Sequence, residues 1–195
     1  MTDSEQMWRT FGRAAALNPA QRHRWRLVEG ELGELAELAG LRASGAAAAA
    51  PVVVDLGCGS GLLLSRLARA LPGARRVGVD LAESALALAR SQDGGIELVQ
   101  ADLEAEAPPL PASLEGHATA VVATELLEHL SHPERAVGLA RRLCGAAARF
   151  VVTVPAGAMT PFDRAIGHQR HYTPASLRGL LESGGFRVQR VYRWG

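Results

Sequence analysis

Residues 52–61, Val-Val-Val-Asp-Leu-Gly-Cys-Gly-Ser-Gly, join a buried strand to a glycine-rich turn, and this join decides the fold. Three consecutive valines are typical of a central strand in a parallel sheet, which is covered on both faces. Leu64, Leu67 and Leu71 then recur at helical spacing until Pro72 ends the predicted helix. Glycines in such a turn let the backbone bend tightly and approach a ligand closely. The stretch therefore predicts a nucleotide-binding strand, turn and helix.

Two further predicted strands also end near an acid. Arg75–Val79 is followed by Asp80, about 20 residues beyond the turn, where an acid accepts hydrogen bonds from ribose hydroxyls in this architecture. Ile96–Gln100 is followed closely by Asp102. A dinucleotide-binding turn has its third glycine at the position that Leu62 occupies here, which argues against NAD as the cofactor.

Three motifs in this order resemble those of the class I S-adenosylmethionine-dependent methyltransferases. They are Val-Asp-Leu-Gly-Cys-Gly-Ser-Gly, Gly-Val-Asp-Leu and Gln-Ala-Asp-Leu, and the resemblance covers roughly residues 50–191. It implies an α/β fold: a Rossmann-like, doubly wound, mostly parallel sheet with helices on both faces. It also implies that S-adenosylmethionine is the cofactor.

The resemblance assigns roles to individual residues. Asp55 and the turn glycines would line the methionine and ribose part of the cofactor, Asp80 would bind the ribose hydroxyls, and Asp102 would face the adenine amine. The complete predicted cofactor site is Asp55, Gly57, Cys58, Gly59, Gly61, Asp80, Leu81, Asp102, Leu103 and Thr124.

Patterning along the chain predicts two regions. Residues 1–50 form a helical arm, with amphipathic helix within Pro19–Leu41, followed by the alanine-rich linker Ala43–Ala50. Residues 51–195 form the cofactor-binding domain. In the basic cluster Arg22–Arg26, the expected arrangement is a solvated helix face with its tryptophan packed inward.

The second half of the domain predicts three more strands, Ala118–Ala123, Ala148–Val154 and Phe186–Tyr192. Thr173 and Pro174 begin the last helix. The resemblance implies one more, antiparallel strand between the fifth and the sixth, which is missing from this sequence. A truncated chain is favoured over a natural sheet with an exposed edge.

Composition narrows the function. The chain has 195 residues, and its 21 basic side chains, all arginine, nearly balance 20 acidic ones to give a net charge of +1. No global field therefore attracts nucleic acid or a membrane surface, and a small-molecule partner is favoured. The two cysteines form neither a disulfide framework nor a metal motif, and no targeting or membrane-spanning segment is evident, so a cytoplasmic location is expected. The oligomeric state stays open.

The segment Thr124–Leu130 directly follows the predicted fourth strand, at the edge where ligands bind in doubly wound sheets. If it is helical, Glu125, Glu128 and His129 share one face. His129 is then a candidate general base. Glu-x-x-Glu-His also resembles the divalent-metal ligands of ubiquinone-pathway and small-RNA 2′-O-methyltransferases, which implies Mg²⁺ or Mn²⁺ at these three residues. The alternative is an exposed helix start with a solvated histidine.

The loop 167–173 resembles a Gly-His-x-Arg-x-Tyr-Thr segment that lies over the active site in many small-molecule methyltransferases. His168 or His171 is a candidate base, metal ligand or acceptor contact. The alternative is that Tyr172 and Thr173 pack and cap the next helix while both histidines face water. The candidate catalytic residues are Glu125, His129, His168 and His171.

The sequence thus predicts an enzyme that transfers a methyl group from S-adenosylmethionine to a small molecule by in-line displacement. A hydroxyl oxygen of an aromatic or secondary metabolite is the preferred acceptor. Two alternatives are a metal-assisted RNA 2′-O-methyltransferase and a catalytically silent cofactor-binding fragment of a longer protein.

Overall fold

A computed structural model describes residues 18–38 and 50–193, with no side-chain description for 35–38. The predicted linker lies outside these residues except for its last alanine. The elements in chain order are α1 (Pro19–Leu38), β1 (Val52–Leu56), α2 (Leu62–Ala70), β2 (Arg75–Asp80), α3 (Glu83–Gln92), β3 (Ile96–Gln100), a 3-10 turn (Ala112–Leu114), β4 (Ala118–Thr124), α4 (Pro133–Leu143), β5 (Cys144–Thr153), α5 (Pro161–Ala165) and α6 (Pro174–Ser183). None of the helices in the described part could cross a membrane.

The five strands form one parallel sheet in the order β3-β2-β1-β4-β5. β1 lies at the centre, where Val54 pairs with Val77 of β2 on one side and with Val121 of β4 on the other. The strand order reverses between β1 and β4, so the carboxyl ends of these two strands border the crevice in which this architecture binds ligands. The predicted Rossmann-like α/β fold is confirmed.

Helices cover both faces of the sheet because the central strand is apolar on both sides. Val53 contributes to a core with Trp25 of α1 and Leu64 of α2. The next residue, Val54, points to the opposite face and joins a core with Leu139 of α4. This alternation follows from the two-residue repeat of a strand.

The helical arm shares the core of the domain. Trp25, Val28 and Leu32 of α1 are buried in the same cluster as residues of β1 and α2. Arg66 of α2 lies 5.7 Å from the centroid of the Trp25 ring and donates two hydrogen bonds to Glu29, at 2.5 and 2.9 Å. The expected inward packing of the tryptophan is therefore observed, and the boundary between arm and domain at residue 50 stays a prediction.

The prediction of a sixth strand at Phe186–Tyr192 is wrong. Residues 186–193 have no strand pairing, and no antiparallel strand occurs within 18–38 and 50–193. A strand needs a neighbour for its backbone groups, and β5 pairs only with β4 among the described strands. Side-chain contacts hold the segment instead. The ring centroids of Phe186 and Phe150 lie 5.0 Å apart, and Arg190 donates a 3.0 Å hydrogen bond to Glu31.

Candidate active site

The glycine turn joins β1 to α2 with left-handed backbone conformations. Gly57 and Gly61 have φ values of 73° and 71°, which non-glycine residues rarely adopt. A Cβ on Gly57 would lie 2.9 Å from Cδ1 of Leu126, and a Cβ on Gly61 would lie 3.0 Å from Cβ of Ala89. Glycine is therefore required both for the turn and for its packing against the segment after β4 and against α3.

Asp80 ties the turn to the end of β2. Its Oδ2 accepts a 2.8 Å hydrogen bond from the backbone N–H of Gly59, and its Oδ1 accepts one of 2.9 Å from that of Ala82. The carboxylate is thus fixed beside the turn. Leu81 follows with 44% of its surface exposed, next to the predicted ribose site.

Asp55 lies at the carboxyl end of β1 and is 1% exposed, and its Oδ1 has no hydrogen-bond partner. Burial, reinforced by the nearby charge of Asp80, raises the pKa of Asp55 to about 8. At neutral pH this carboxyl is therefore mostly protonated. A buried polar oxygen without a partner next to a glycine turn is the kind of vacant hydrogen-bonding group that a polar ligand can satisfy.

The remaining predicted cofactor residues lie at or near the carboxyl ends of the strands. Asp102 is exposed, and its Oδ1 accepts a 2.8 Å hydrogen bond from Glu104 N–H, while Leu103 is buried. Cys58 packs against Gly78, where an added Cβ would lie 2.8 Å from its Sγ, and burial raises its pKa well above the ordinary value. Thr124 is half-buried at the end of β4, paired with Thr153 of β5.

The segment after β4 is not the predicted helix. Glu125 has a φ of 51°, and residues 127–129 form a turn. The backbone finds partners outside the segment: Glu125 N–H donates to Thr153 C=O at 2.9 Å, and Glu128 C=O accepts from Gln169 N–H at 2.8 Å. These contacts with β5 and with the loop 167–173 replace helical hydrogen bonds.

Because no helix forms, the two glutamates do not share one polar face. Glu128 is completely buried and neither carboxylate oxygen has a hydrogen-bond partner. Burial and the charge of Glu125 raise the pKa of Glu128 well above the ordinary value. Glu125 instead lies 3.4 Å from the Arg24 guanidinium of α1 and accepts a 3.0 Å hydrogen bond from the Thr153 hydroxyl. Burial still raises the pKa of Glu125, against the opposing effect of Arg24.

Two apolar residues of the segment, Leu127 and Leu130, are buried. Leu127 C=O also accepts a 3.1 Å hydrogen bond from the Tyr172 hydroxyl, which fixes the loop 167–173 to this segment. Thr173 caps α6 in a capping box with Ser176, as the sequence predicts.

Three histidines converge between the two segments. The rings of His129 and His168 meet edge to face with centroids 4.7 Å apart, and His168 Nδ1 lies 3.0 Å from His171 Nε2. The side chains of His168 and His171 are only 8% and 7% exposed, so the alternative in which both face water does not hold, although Tyr172 packs and Thr173 caps α6 as that alternative states. Burial, with the neighbouring His168, lowers the pKa of His129 to about 4, so its imidazole is neutral at pH 7.

The predicted metal set is also altered. In the described part of the chain, the ligand atoms of Glu128, His129 and His168 all lie within 4.8 Å of one another, and Glu125 is not a member of this group. The reason is the left-handed turn at Glu125, which directs its carboxylate to Arg24 and Thr153. One carboxylate and two imidazoles therefore stand where the sequence predicted two carboxylates and one imidazole.

Sequence reasoning missed Asp163, which lies beside His168 and His171. Its Oδ1 is 3.9 Å from His168 Nδ1 and its Oδ2 is 3.7 Å from His171 Nε2. The capping box of Thr160 and Asp163 at the start of α5 was the available signal.

A cavity of about 1100 Å³ runs along the outer edge of β5, and neither Glu128 nor the three histidines line it. It lies between β5, residues 185–193 and α1, and its lining includes Arg24, Glu125 and Tyr172. The glycine turn, Asp80 and Asp102 do not line it.

Comparison with known proteins identifies the family. Residues 32–191 match the family model of a methyltransferase domain. The chain belongs to the class I S-adenosylmethionine-dependent methyltransferases. This confirms the family and the enzyme class that the three sequence motifs predicted.

Curated relatives and solved structures agree with this assignment. The chain is 35% identical over 127 residues to a ubiquinone biosynthesis O-methyltransferase of Methylococcus capsulatus, covering 62% of this chain and 52% of that one. It is 42% identical over 91 residues to a trans-aconitate 2-methyltransferase of an Azoarcus strain, covering 42% and 35% of the two chains. The chain thus spans about half the length, or less, of these relatives.

A solved complex between the Haloferax volcanii Trm112 methyltransferase activator and a putative methyltransferase contains a chain with the same fold. The TM-score is 0.62 at 20% identity, over 91% of this chain and 76% of that one. At this identity the likeness shows the fold alone.

Proposed function

We propose that this protein transfers the methyl group of S-adenosylmethionine to a hydroxyl oxygen of a small molecule, with hydroxylated aromatic compounds as the preferred class. The observation that carries the proposal is the position of the His129 ring, which meets the His168 ring at 4.7 Å between centroids and lies beside Glu128, just after the carboxyl end of β4. The names of two curated relatives, a ubiquinone biosynthesis O-methyltransferase and a trans-aconitate 2-methyltransferase, support a small-molecule acceptor.

The residues around the glycine turn fit this cofactor. When bound, S-adenosylmethionine supplies a methyl group that its sulfonium already activates. Asp80, held by the N–H groups of Gly59 and Ala82, presents a fixed acceptor for ribose hydroxyls. Asp55 offers a protonated carboxyl with one unpartnered oxygen. Fixed groups of this kind orient the reactants, and orientation contributes about 7–11 kcal/mol to such reactions.

His129 is the best-suited proton acceptor. A hydroxyl acceptor must lose a proton as its oxygen attacks, and a neutral imidazole can take it. The pKa of about 4 keeps His129 neutral at pH 7, although it also makes the imidazole a weak base. The oxyanion that forms as the acceptor hydroxyl loses its proton is an opposite charge beside the ring, and it favours the protonated imidazole.

A divalent metal fits the same cluster. Glu128, His129 and His168 would hold it, and a donor set of one carboxylate and two imidazoles suits Mn²⁺ better than Mg²⁺, which takes mostly oxygen ligands. The chemistry it would supply is a lowered pKa of the acceptor hydroxyl. The unpartnered carboxylate of Glu128 is the feature of this site that favours a cation.

The test is a methyl-transfer assay with labelled S-adenosylmethionine and a panel of hydroxylated aromatic acceptors. We expect transfer by the wild-type chain, and a loss of roughly 10²–10⁴-fold in kcat for His129→Gln, the range that general-base catalysis contributes. Asp80→Asn should weaken binding of S-adenosylhomocysteine, measured by calorimetry, by about tenfold or more, because a bond to a charged acceptor is worth about 1.5–3 kcal/mol.

Glu97→Gln is the matched control, because Glu97 is an exposed carboxylate on β3 that pairs with Arg75 away from the site. It should leave both measurements unchanged. A chain that binds S-adenosylhomocysteine but methylates no acceptor in a panel of hydroxyl, amine and carbon nucleophiles would contradict the proposal and indicate a silent cofactor-binding domain. Transfer to RNA alone would also contradict it.

A further inference from the structure

Asp163, His168 and His171 bring three potential metal ligands together under the loop 167–173. His168 Nδ1 lies 3.0 Å from His171 Nε2, within hydrogen-bond distance. Asp163 Oδ1 lies 3.9 Å from His168 Nδ1, and Asp163 Oδ2 lies 3.7 Å from His171 Nε2. Both distances to the carboxylate are too long for a hydrogen bond. No hydrogen bond therefore joins the carboxylate directly to either ring.

The separations resemble those between ligands on one metal ion. Nitrogen and oxygen ligands bind Zn²⁺ at about 2.0–2.2 Å, so two of them in a tetrahedral shell lie about 3.3–3.6 Å apart. The observed separations of 3.0, 3.7 and 3.9 Å surround this range. One ligand atom from each of the three residues can be chosen so that all lie within 4.8 Å of one another.

The burial of the three side chains and the fixed orientation of the carboxylate also suit a bound metal. The side chains of His168, His171 and Asp163 are 8%, 7% and 18% exposed. Asp163 Oδ2 accepts hydrogen bonds of 2.6 and 2.7 Å from the Thr160 N–H and hydroxyl, which orient the carboxylate and lower its pKa. The carboxylate is thus held in one orientation beside two largely buried rings.

We propose that Asp163, His168 and His171 bind a first-row transition-metal ion of the Zn²⁺, Co²⁺ or Ni²⁺ class. Imidazole suits these ions, and three protein ligands leave one position of a tetrahedral shell for water. The site differs from the group of Glu128, His129 and His168, with which it shares His168. An ion bound by Asp163 and His171 would also bind Nδ1 of His168, the ring nitrogen that faces them. Substituting Asp163 or His171 therefore tests this group, whereas substituting Glu128 tests the other one.

The experiment uses the full 195-residue chain without added metal. Zn²⁺ binding is measured by calorimetry, and Co²⁺ binding by the intense visible absorption of tetrahedral Co²⁺. We expect one site per chain in the wild type, with tetrahedral Co²⁺ bands. In Asp163→Asn and His171→Gln, affinity should fall by more than the roughly 10–100-fold that loss of an outer-shell contact costs.

The test includes a folding check and two comparison variants. Asparagine at 163 keeps one side-chain oxygen for the Thr160 cap, and circular dichroism verifies folding of every variant. His132→Gln removes an exposed histidine that contacts Glu134, and it should bind Zn²⁺ as the wild type does. Glu128→Gln should also retain binding. Loss of binding in Glu128→Gln with full binding in Asp163→Asn and His171→Gln would overturn the proposal, as would the absence of stoichiometric Zn²⁺ binding by the folded wild type.

Discussion

The ionisation of Asp55, a residue of the first motif, makes the stability of the folded protein depend on pH. In the folded chain its pKa is about 8, against an ordinary value of 3.8, because it is buried next to Asp80. Between these two values the folded state binds more protons at this position than the unfolded state does. The contribution of Asp55 to stability is therefore fully present below about pH 4 and is lost as the pH rises through about 8.

Asp55→Asn should remove this pH dependence, because asparagine has nearly the same shape and does not ionise. Relative to the wild type, the free energy of unfolding of the variant should increase between pH 5 and pH 8 by on the order of 2–4 kcal/mol. Urea unfolding at the two pH values measures the difference. Asp102→Asn, at an exposed aspartate, should follow the wild-type curve. Parallel curves for Asp55→Asn and the wild type would contradict the prediction.

At the scale of elements, α1 is part of the domain core. Trp25 is 6% exposed between β1 and α2, and Arg66 stacks over its ring while holding Glu29. The same helix places Arg24 against Glu125, at the edge of the candidate active site. Packing of α1 therefore affects both the stability of the sheet and the position of a candidate site residue.

Trp25→Ala should destabilise the protein by about 3–5 kcal/mol, the usual cost of removing a buried tryptophan side chain. Arg26→Ala changes the next residue of the same helix, which is exposed, and should cost no more than about 0.5 kcal/mol. Urea unfolding followed by circular dichroism compares the two. Equal effects would mean that α1 contributes no packing energy and lies loosely on the sheet.

Elements that the sequence predicts correctly have local signals. The valines of β1, the glycine turn and the Thr173 cap of α6 each specify their structure within a few residues, and all three are confirmed. Two predictions fail because tertiary contacts decide them. Phe186–Tyr192 has the composition of a strand but finds no strand beside it, and the segment after β4 gives its backbone hydrogen bonds to β5 and to the loop 167–173.

In the candidate site, too, features with a local sequence signal could be predicted, whereas features that depend on distant contacts could not. The carboxyl ends of parallel strands meet at one edge of a sheet, so the sequence pattern alone predicts that the acids at these strand ends lie along the same edge. The contact of Glu125 with Arg24, which lies about 100 positions away in the sequence, leaves no signal in the local spacing. For the same reason, helical spacing paired Glu125 with Glu128, whereas the fold groups Glu128 with His168.

At the scale of the whole molecule, ligand binding to the edge shared by all five strands should stabilise the domain as a unit. Binding to the folded state alone adds about 2.7 kcal/mol at a ligand concentration of 100 times Kd. For a chain of this size, each kcal/mol raises Tm by about 2–4 °C. The choice of nucleotide depends on the start of α2, where Leu62 occupies the position of the third glycine in a dinucleotide-binding turn.

Saturating S-adenosylhomocysteine should therefore raise Tm by about 5–10 °C. NAD should leave Tm unchanged, because Leu62, which packs against the core around Trp25, replaces the glycine that brings helix and strand close together in a dinucleotide-binding turn. Differential scanning calorimetry with each ligand measures both shifts. Asp80→Asn should reduce the shift with S-adenosylhomocysteine at the same ligand concentration, and Glu97→Gln should not. A comparable rise with NAD would show that the turn accepts a dinucleotide despite Leu62, and would contradict the selectivity inferred from this position.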